Sequence, residues 1–295
     1  MNTKLTPISD ESAWLDLRKK YITSTETPSL FGLQMPSLPT AFELFHIKRG
    51  EISGDVEANN YMVWGRIFEG AITDVIRADN PEWRISPLRV FAHDDDDKIG
   101  SSFDNFLIHP EKGNCLLEIK MTSYREYKEK YIEDDDKEFI EAPAYYEVQC
   151  QHQLELMGKY DWICLAVAIV DTREIKYIWR KRDSDFGASI RKKIRWFWGL
   201  ETAPPPDLVK DSDLLARLHR ANSTDSVYDG TEDGEFQIAA MSYKQESQKE
   251  KSAEEAKKKA RSEMILKMGS NNQAWCNGYK VTNKAQFRVT EMKGK

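Results

Sequence analysis

The stretch SSFDNFLIHPEKGNCLLEIK, residues 101–120, decides how the chain is read. Two strand-like patterns flank HPEKGN, in which Gly113 supplies the turn residue of a hairpin. Side chains alternate along the second strand, so Glu118 and Lys120 share one face while Leu117, Ile119 and Met121 take the other. A carboxylate and an ammonium on a half-buried strand are costly unless they find partners or a metal ion. Asp104 joins them if the hairpin register sets it opposite Glu118 or Lys120. A symmetric loop would pair Asp104 with Ile119 instead, so convergence requires an odd loop or a bulge. The pattern acid-x-Lys is common in this chain; Asp96, Glu126, Asp135, Glu174, Glu255 and Glu291 also begin it. Glu118 differs in its apolar flanks and its upstream hairpin acid. The competing reading is a salt-bridged strand face without a metal.

Working outward, the pattern predicts helices at 12–20 (with Ser12 as N-cap), 40–50 and 59–79. Strands follow at 84–93, 101–109 and 114–122, then an acidic loop or insertion at 131–141. A helix at 143–159, strands at 161–171 and 173–182, and a basic amphipathic helix at 185–201 complete an α/β core. The core spans 1–203, because the prolines at 204–206 cannot continue a helix. Residues 204–236 read as a linker with one short helix. The segment 237–295 reads as an appendage: a long charged helix to Met268 and a small β-meander turning at Asn277-Gly278.

Basic residues number 43 and acidic ones 49, a net charge of −6. That argues against a protein that coats nucleic acid by bulk charge, and leaves open an enzyme with one local basic face. The longest apolar run, Ile163–Val170, is too short to span a bilayer, and the N-terminus shows no secretory pattern. Four cysteines at 115, 150, 164 and 276 lack CxxC spacing, and a reducing cytoplasmic setting fits them. The histidines show no zinc spacing. HDDDDK, 93–98, reads as a solvated acidic loop. A basic cluster of Arg180, Lys181, Arg182, Arg191, Lys192, Lys193 and Arg195 is read either as a DNA-backbone track or as a solvated helix face.

Three further segments sharpen the hairpin reading. WGRIFEG places Glu69 mid-helix. YYEVQCQHQ sets Tyr146, Gln149 and Gln153 on one helical stripe with Gln151 nearby. LRKKYITSTE supplies Arg18, Thr23, Ser24 and Thr25 just after a helix. Taken in order, W-x3-R-x4-I-T, W-G-x3-E, S-x-D, L-E-x-K and Y-x-x-Q-x-Q resemble the YqaJ-type viral recombinase nucleases, the family that includes the phage lambda exonuclease. The resemblance runs from about Trp14 to Leu200. Two positions depart from it: Phe103 replaces the usual proline and Asn105 the usual glycine around the catalytic acid.

The resemblance implies a PD-(D/E)xK core, restriction-endonuclease-like, with a mixed central sheet flanked by helices. It implies that Asp104, Glu118 and the Ile119 carbonyl bind Mg²⁺, with Mn²⁺ as a substitute, and that Glu69 helps bind the metal. Lys120 would orient or deprotonate the attacking water, and Gln149 and Gln151 would complete the site beside the scissile phosphate. Arg18 and Thr25 match positions that hold a terminal 5′-phosphate, and Arg125 is a further candidate for the DNA backbone. The implied activity is 5′→3′ digestion of linear duplex DNA in a phage or prophage recombination system, beside a single-strand annealing protein and as a ring-shaped homotrimer. Two rivals remain at this point: an endonuclease of the same superfamily, and a non-catalytic scaffold that binds DNA ends.

Overall fold

The computed structural model describes residues 2–33, 38–54, 60–134 and 139–292. In chain order its elements begin with β1 (Lys4–Pro7), α1 (Glu11–Lys20), β2 (Ile22–Thr23), α2 (Thr27–Leu30), α3 (Ala41–Lys48) and α4 (Asn60–Asp79). Next come β3 (Arg84–Pro87), β4 (Val90–Asp94), β5 (Ile99–Ser102), β6 (Asn105–His109), β7 (Gly113–Thr122) and α5 (Tyr124–Lys130). They are followed by β8 (Ile132–Glu133), β9 (Ile140–Glu141), α6 (Ala144–Met157), β10 (Trp162–Ile169), β11 (Glu174–Lys181) and α7 (Ser184–Trp198). The last are α8 (Ser212–Asn222), α9 (Gly234–Met268), β12 (Gln273–Cys276), β13 (Tyr279–Asn283) and β14 (Phe287–Glu291). The chain divides into two compact units, Met1–Asn222 and Ser223–Lys295.

The first unit is built on a mixed five-stranded sheet in the order β11-β10-β7-β6-β3. Only the β7–β10 pair is parallel among the described strands of this sheet; the other pairs are antiparallel. On one face Leu116, Ile163, Leu165 and Val167 pack against Val148 and Leu154 of α6 and Ile190 and Ile194 of α7. On the other, Cys115, Leu117, Ile119, Cys164 and Ala166 pack with Ile76 of α4. Both faces of β10 are covered, which is why its sequence is one continuous apolar run rather than an alternating one. The alternation in β7 follows: Leu117 and Ile119 turn toward α4, and Glu118 lies under α6.

Two expected strands each prove to be two. The stretch 84–93 is split between β3, in the central sheet, and β4, in a second sheet ordered β1-β4-β5-β2. Pro87, which has no N–H for a ladder, ends β3 at the sheet edge. The stretch 101–109 likewise breaks at Phe103-Asp104 into β5, paired with β4, and β6, paired with β7. Asp104 thus stands where the chain leaves one sheet for the other. Helix α1 is capped by Asp10, whose carboxylate accepts the Ala13 N–H at 2.9 Å, not by Ser12. Within the predicted acidic insertion, 135–138 lies outside the described residues. Helix α8 belongs to the first unit rather than to a free linker: Leu214 is buried, and the Thr40 hydroxyl donates to Asp211 at 2.8 Å.

The acidic loop is not simply solvated. Arg191 of α7, 8% exposed, donates to Glu155 at 2.6 Å, Asp94 at 3.0 Å and Asp97 at 2.8 Å. Asp95 accepts from Lys4 and Tyr21 and pairs with His93. Arg180 is also engaged, in a two-pronged pair with Glu147 at 2.6 and 2.7 Å. Two members of the basic cluster, Arg180 and Arg191, are therefore neither solvated nor free for DNA but spent inside the fold, where a bidentate or networked guanidinium is most useful.

The second unit holds α9, 35 residues and roughly 52 Å long at 1.5 Å per residue. Its one buried residue among those described is Met268. The antiparallel meander β12-β13-β14 turns at Asn277-Gly278, both with positive φ, as a two-residue hairpin requires. Cys115, Cys150 and Cys164 are buried free thiols, and Cys276 is exposed. Among the described residues no helix is long and apolar enough to cross a membrane.

His152 ties α6 to α2 and to β5 of the second sheet. Its Nε2–H donates to the Gly100 carbonyl at 3.0 Å, and its Nδ1 accepts from the Thr27 hydroxyl at 2.8 Å. Burial pushes this imidazole down to about 3. The unfolded chain titrates near the ordinary value of 6.5, so it takes up a proton that the fold rejects. Stability is complete above about pH 6.5 and is lost as pH falls from there toward 3, by up to ~1.4 kcal/mol per pH unit. Replacing His152 with Gln should flatten that slope in denaturant titrations between pH 6 and 4. An unchanged slope would show that His152 is not the group being protonated.

Candidate active site

The hairpin register decides whether the acids meet. The β6–β7 ladder runs from His109 opposite Gly113 to Asn105 opposite Leu117. The turn is therefore Pro110, Glu111 and Lys112, an odd number of residues. Gly113 closes it at φ 69°, the left-handed position of a three-residue hairpin loop. One step past the ladder, the register points Asp104 at Glu118. Because the chain has already turned toward β5 there, β7 meets a side chain instead of a strand: Asp104 Oδ2 accepts the Ile119 N–H at 2.8 Å. A strand residue's N–H and C=O point to the same edge, so the Ile119 carbonyl faces this same gap beyond the end of β6.

Glu118 is 4% exposed. Its Oε1 accepts from Lys120 Nζ at 2.5 Å and from Gln149 Nε2 at 2.6 Å, and its Oε2 accepts from Gln153 Nε2 at 2.8 Å. Gln149 and Gln153 are four apart on α6 and so share a face. The Gln153 amide must lie this way round, since reversing it would set its oxygen against the carboxylate. Its Oε1 is left as a buried acceptor with no donor among the described residues. Glu69, half-buried on α4, and Asp104 line a cleft of about 450 Å³ together with Thr73, Arg77, Arg89 and Phe103.

Three carboxylates here face one ammonium. Burial, then the charges of Glu118 and Glu69, hold the Asp104 carboxyl well above the usual range, against the partial pull of Lys120 and the Ile119 N–H. Burial and the Glu118 charge raise Glu69 as well. For Lys120, burial alone would lower the pKa, but Glu118 and Asp104 together overcome it and leave the ammonium more basic than usual. The Lys120 ammonium also lies 5.3 Å from the Tyr146 ring centre. The excess of negative charge and the all-oxygen donor set fit a hard divalent cation. Mg²⁺ is typically held by one or two carboxylates and keeps several waters, which could donate to the orphaned Gln153 oxygen. Among the described residues no three His, Cys, Asp or Glu side chains make a metal site by themselves. The donors available are Asp104, Glu118 and the Ile119 carbonyl, with Glu69 as an additional acid.

The remaining expected residues fall into two groups. Arg18 and Thr25 are brought together: Arg18 Nη2 lies 3.5 Å from Thr25 Oγ1, and the Thr23 and Thr25 hydroxyls are 3.2 Å apart. This loop is built off β5, the strand that leads into Asp104, because β2 pairs with β5 and Ser101 Oγ donates to Ser24 Oγ at 2.8 Å. Gln151 and Arg125 are not brought to the acids. Gln151 donates to the Lys181 carbonyl at 2.8 Å and accepts the Asp183 N–H at 2.9 Å, so its whole amide ties α6 to the β11–α7 connection. Two helical steps from Gln149 turn it about 200° away. Arg125 is exposed on α5 and pairs with Glu129 at 2.7 Å. The amide beside Glu118 is Gln153, which the i, i+4 spacing from Gln149 marks in the sequence. Arg89 in the cleft carries no comparable signal.

A mixed sheet flanked by helices, with a carboxylate-and-lysine cluster on its central strand, is the architecture of the PD-(D/E)xK fold class. Residues 13–159 match the family model of the YqaJ-like viral recombinase domain, and this part of the chain belongs to that family. Among solved structures, an alkaline exonuclease (LHK-Exo) from Laribacter hongkongensis is similar at 17% identity, covering 72% of this chain and 100% of that chain with a TM-score of 0.49. Its structure in complex with dAMP matches at 16% identity over 72% and 97% of the two chains, TM-score 0.49. A phage related exonuclease from Haemophilus somnus 129PT is similar at 10% identity over 60% and 91%, TM-score 0.41. A search of curated proteins gives no match.

The two glutamines should separate experimentally. Gln153→Ala leaves Glu118 short of a donor and should slow DNA cleavage. Gln151→Ala unties β11 from α6 and should lower stability by roughly 1–3 kcal/mol, while cleavage by the folded fraction persists. Thermal unfolding and a cleavage assay on both variants read this out. Cleavage lost in Gln151→Ala and kept in Gln153→Ala would contradict the placement.

Proposed function

We propose that this chain is a Mg²⁺-dependent exonuclease, with Mn²⁺ as a substitute, that digests linear double-stranded DNA from the 5′ end. The product would be a 3′ single-stranded tail for a single-strand annealing protein in phage-type recombination. The observation that supports it most is the meeting of Asp104, Glu118, Lys120 and the Ile119 backbone at the point where β6 leaves β7, within a YqaJ-like domain. An inactive end-binding scaffold would have no need to keep this costly charge cluster.

In this reading Asp104, Glu118 and the Ile119 carbonyl hold the cation, and Glu69 supports it. When bound, the cation offsets the carboxylate charge, stabilises charge on the phosphoryl oxygens and lowers the pKa of water. Lys120 enters as an ammonium: it orients the attacking water and meets the charge that develops on the phosphate. Gln149 and Gln153 hold Glu118 in one orientation, so that its carboxylate does not reorganise during the reaction. Arg18 and Thr25 bind the terminal 5′-phosphate, a charge-assisted contact that confers preference for ends. Arg125 serves as an outlying contact to the DNA backbone. The family resemblance supports a homotrimer acting in the cytoplasm of a bacterial host, encoded by a phage or prophage.

The test uses Mg²⁺ and two substrates: linear duplex with 5′-phosphates, and closed circular duplex. Loss of linear DNA alone, reduced by about 10³-fold or more in Glu118→Ala, is expected, in line with removal of a group that stabilises the transition state. Cleavage of the circle would favour an endonuclease. Binding of linear DNA without cleavage of either substrate would favour the scaffold.

A further inference from the structure

Next to the Arg18–Thr25 pair lies a buried ion pair for which the proposed chemistry has no use. Lys48 ends α3, and its side chain is 2% exposed. Its Nζ donates to the Arg18 carbonyl at 2.6 Å, to the Tyr21 carbonyl at 2.8 Å and to Glu26, whose Oε2 and Oε1 lie at 2.8 and 3.0 Å. An ammonium has three hydrogens, and these three groups take them all. Glu26 is itself 7% exposed, and its Oε2 also accepts the Thr23 N–H at 2.9 Å.

Arg18 stands apart from this saturated pair. Its guanidinium reaches Glu26 Oε1 and Thr25 Oγ1 only at 3.5 Å, the outer limit of a hydrogen bond, and lies 4.8 Å from the Trp14 ring centre. Its side chain is 24% exposed, the most open of the three. Two cations and one carboxylate leave a single positive charge in surplus, and that surplus sits on Arg18. The C-terminal turn of α1 and its cap at Tyr21, the backbone on which Arg18 stands, are held by Lys48 through the two carbonyls.

We infer that Lys48 is a positioning residue for Arg18: by saturating Glu26 and pinning the α1 terminus, it keeps the guanidinium free for a terminal phosphate. The alternative partner for Arg18 is close. A buried carboxylate stripped of Lys48 has Arg18 as its nearest cation, and a bidentate Arg–carboxylate pair closes to about 2.7–2.9 Å. The guanidinium would then be spent inside the protein, as Arg180 is on Glu147. Burial also lowers the Lys48 pKa; burial would raise that of Glu26, but the Lys48 and Arg18 charges outweigh it and lower it, as expected of a charge pair that needs both members. The inference rests on the reading of Arg18 as the phosphate anchor.

The full-length chain is assayed with Mg²⁺ on linear duplexes that differ only in a 5′-phosphate or a 5′-hydroxyl. Arg18→Ala should erase the preference for phosphate. Lys48→Met should cut that preference about tenfold or more through KM, the scale of one lost charge-assisted hydrogen bond, with kcat at saturating DNA little changed. Lys48→Met combined with Glu26→Gln removes both buried charges and should restore most of the preference. Circular dichroism and thermal midpoints check folding. If Lys48→Met does not fold, Lys48→Gln replaces it under the same expectations. A folded Lys48 variant with full preference, beside an Arg18→Ala variant that has lost it, would overturn the positioning role. So would a double variant that does not recover, since that marks Lys48 as a structural support alone. Preference surviving in Arg18→Ala would instead overturn the phosphate-anchor reading, and this inference with it.

Discussion

The hydrogen bond from the Ile119 N–H to Asp104 is the contact on which the site depends. It exists because β6 stops pairing with β7 at Asn105, so a backbone donor in mid-sheet has no strand to bond to. A buried N–H without a partner is costly, and the carboxylate that removes this cost is thereby fixed beside Glu118. One constraint thus does two things: it ends a ladder without an orphaned donor, and it crowds the acids together. The three-residue turn at 110–112 is what makes it possible. An even turn would shift the register by one and send Asp104 to the other face.

Crowding of this kind opposes folding, and the surroundings show how it is tolerated. Glu118 has an acceptor bond from Lys120, Gln149 and Gln153, so its charge is well matched. Asp104 and Glu69 are not matched in the same way, and burial, joined by the charge of Glu118, raises both of their pKa values. A site that is short of positive charge within a well-packed scaffold is poised for a cation. The scaffold around it is correspondingly overdetermined. Arg191 binds carboxylates of α6, β4 and the β4–β5 turn, and His152 joins α6 to α2 and β5.

Much of this was legible in the sequence because it follows short-range rules. Alternation in LLEIK separates Glu118 and Lys120 from Leu117 and Ile119. The apolar run at 163–170 marks a strand, and the spacing of Gln149 and Gln153 puts both on one stripe. The ordered motifs carry the family. What was not legible is set by long-range pairing. The breaks at Pro87 and at Phe103-Asp104 arise because each stretch serves two sheets, which periodicity within one segment does not reveal. β1 and β2 are four and two residues long, too short for a pattern. Gln151 sits among the glutamines of the motif yet bonds to the β11–α7 connection, and Arg191 and Asp94 look like surface charges until their partners, 97 residues apart, are brought together.

The central claim is that Asp104 and Glu118 form one cation site. Calorimetric titration of Mg²⁺ into the metal-free protein, beside Asp104→Asn, tests it most directly. The asparagine can still accept the Ile119 N–H, so the fold and the register are retained while one charge is removed. The account predicts saturable binding by the native chain and its loss in the variant. Equal binding by both would contradict it.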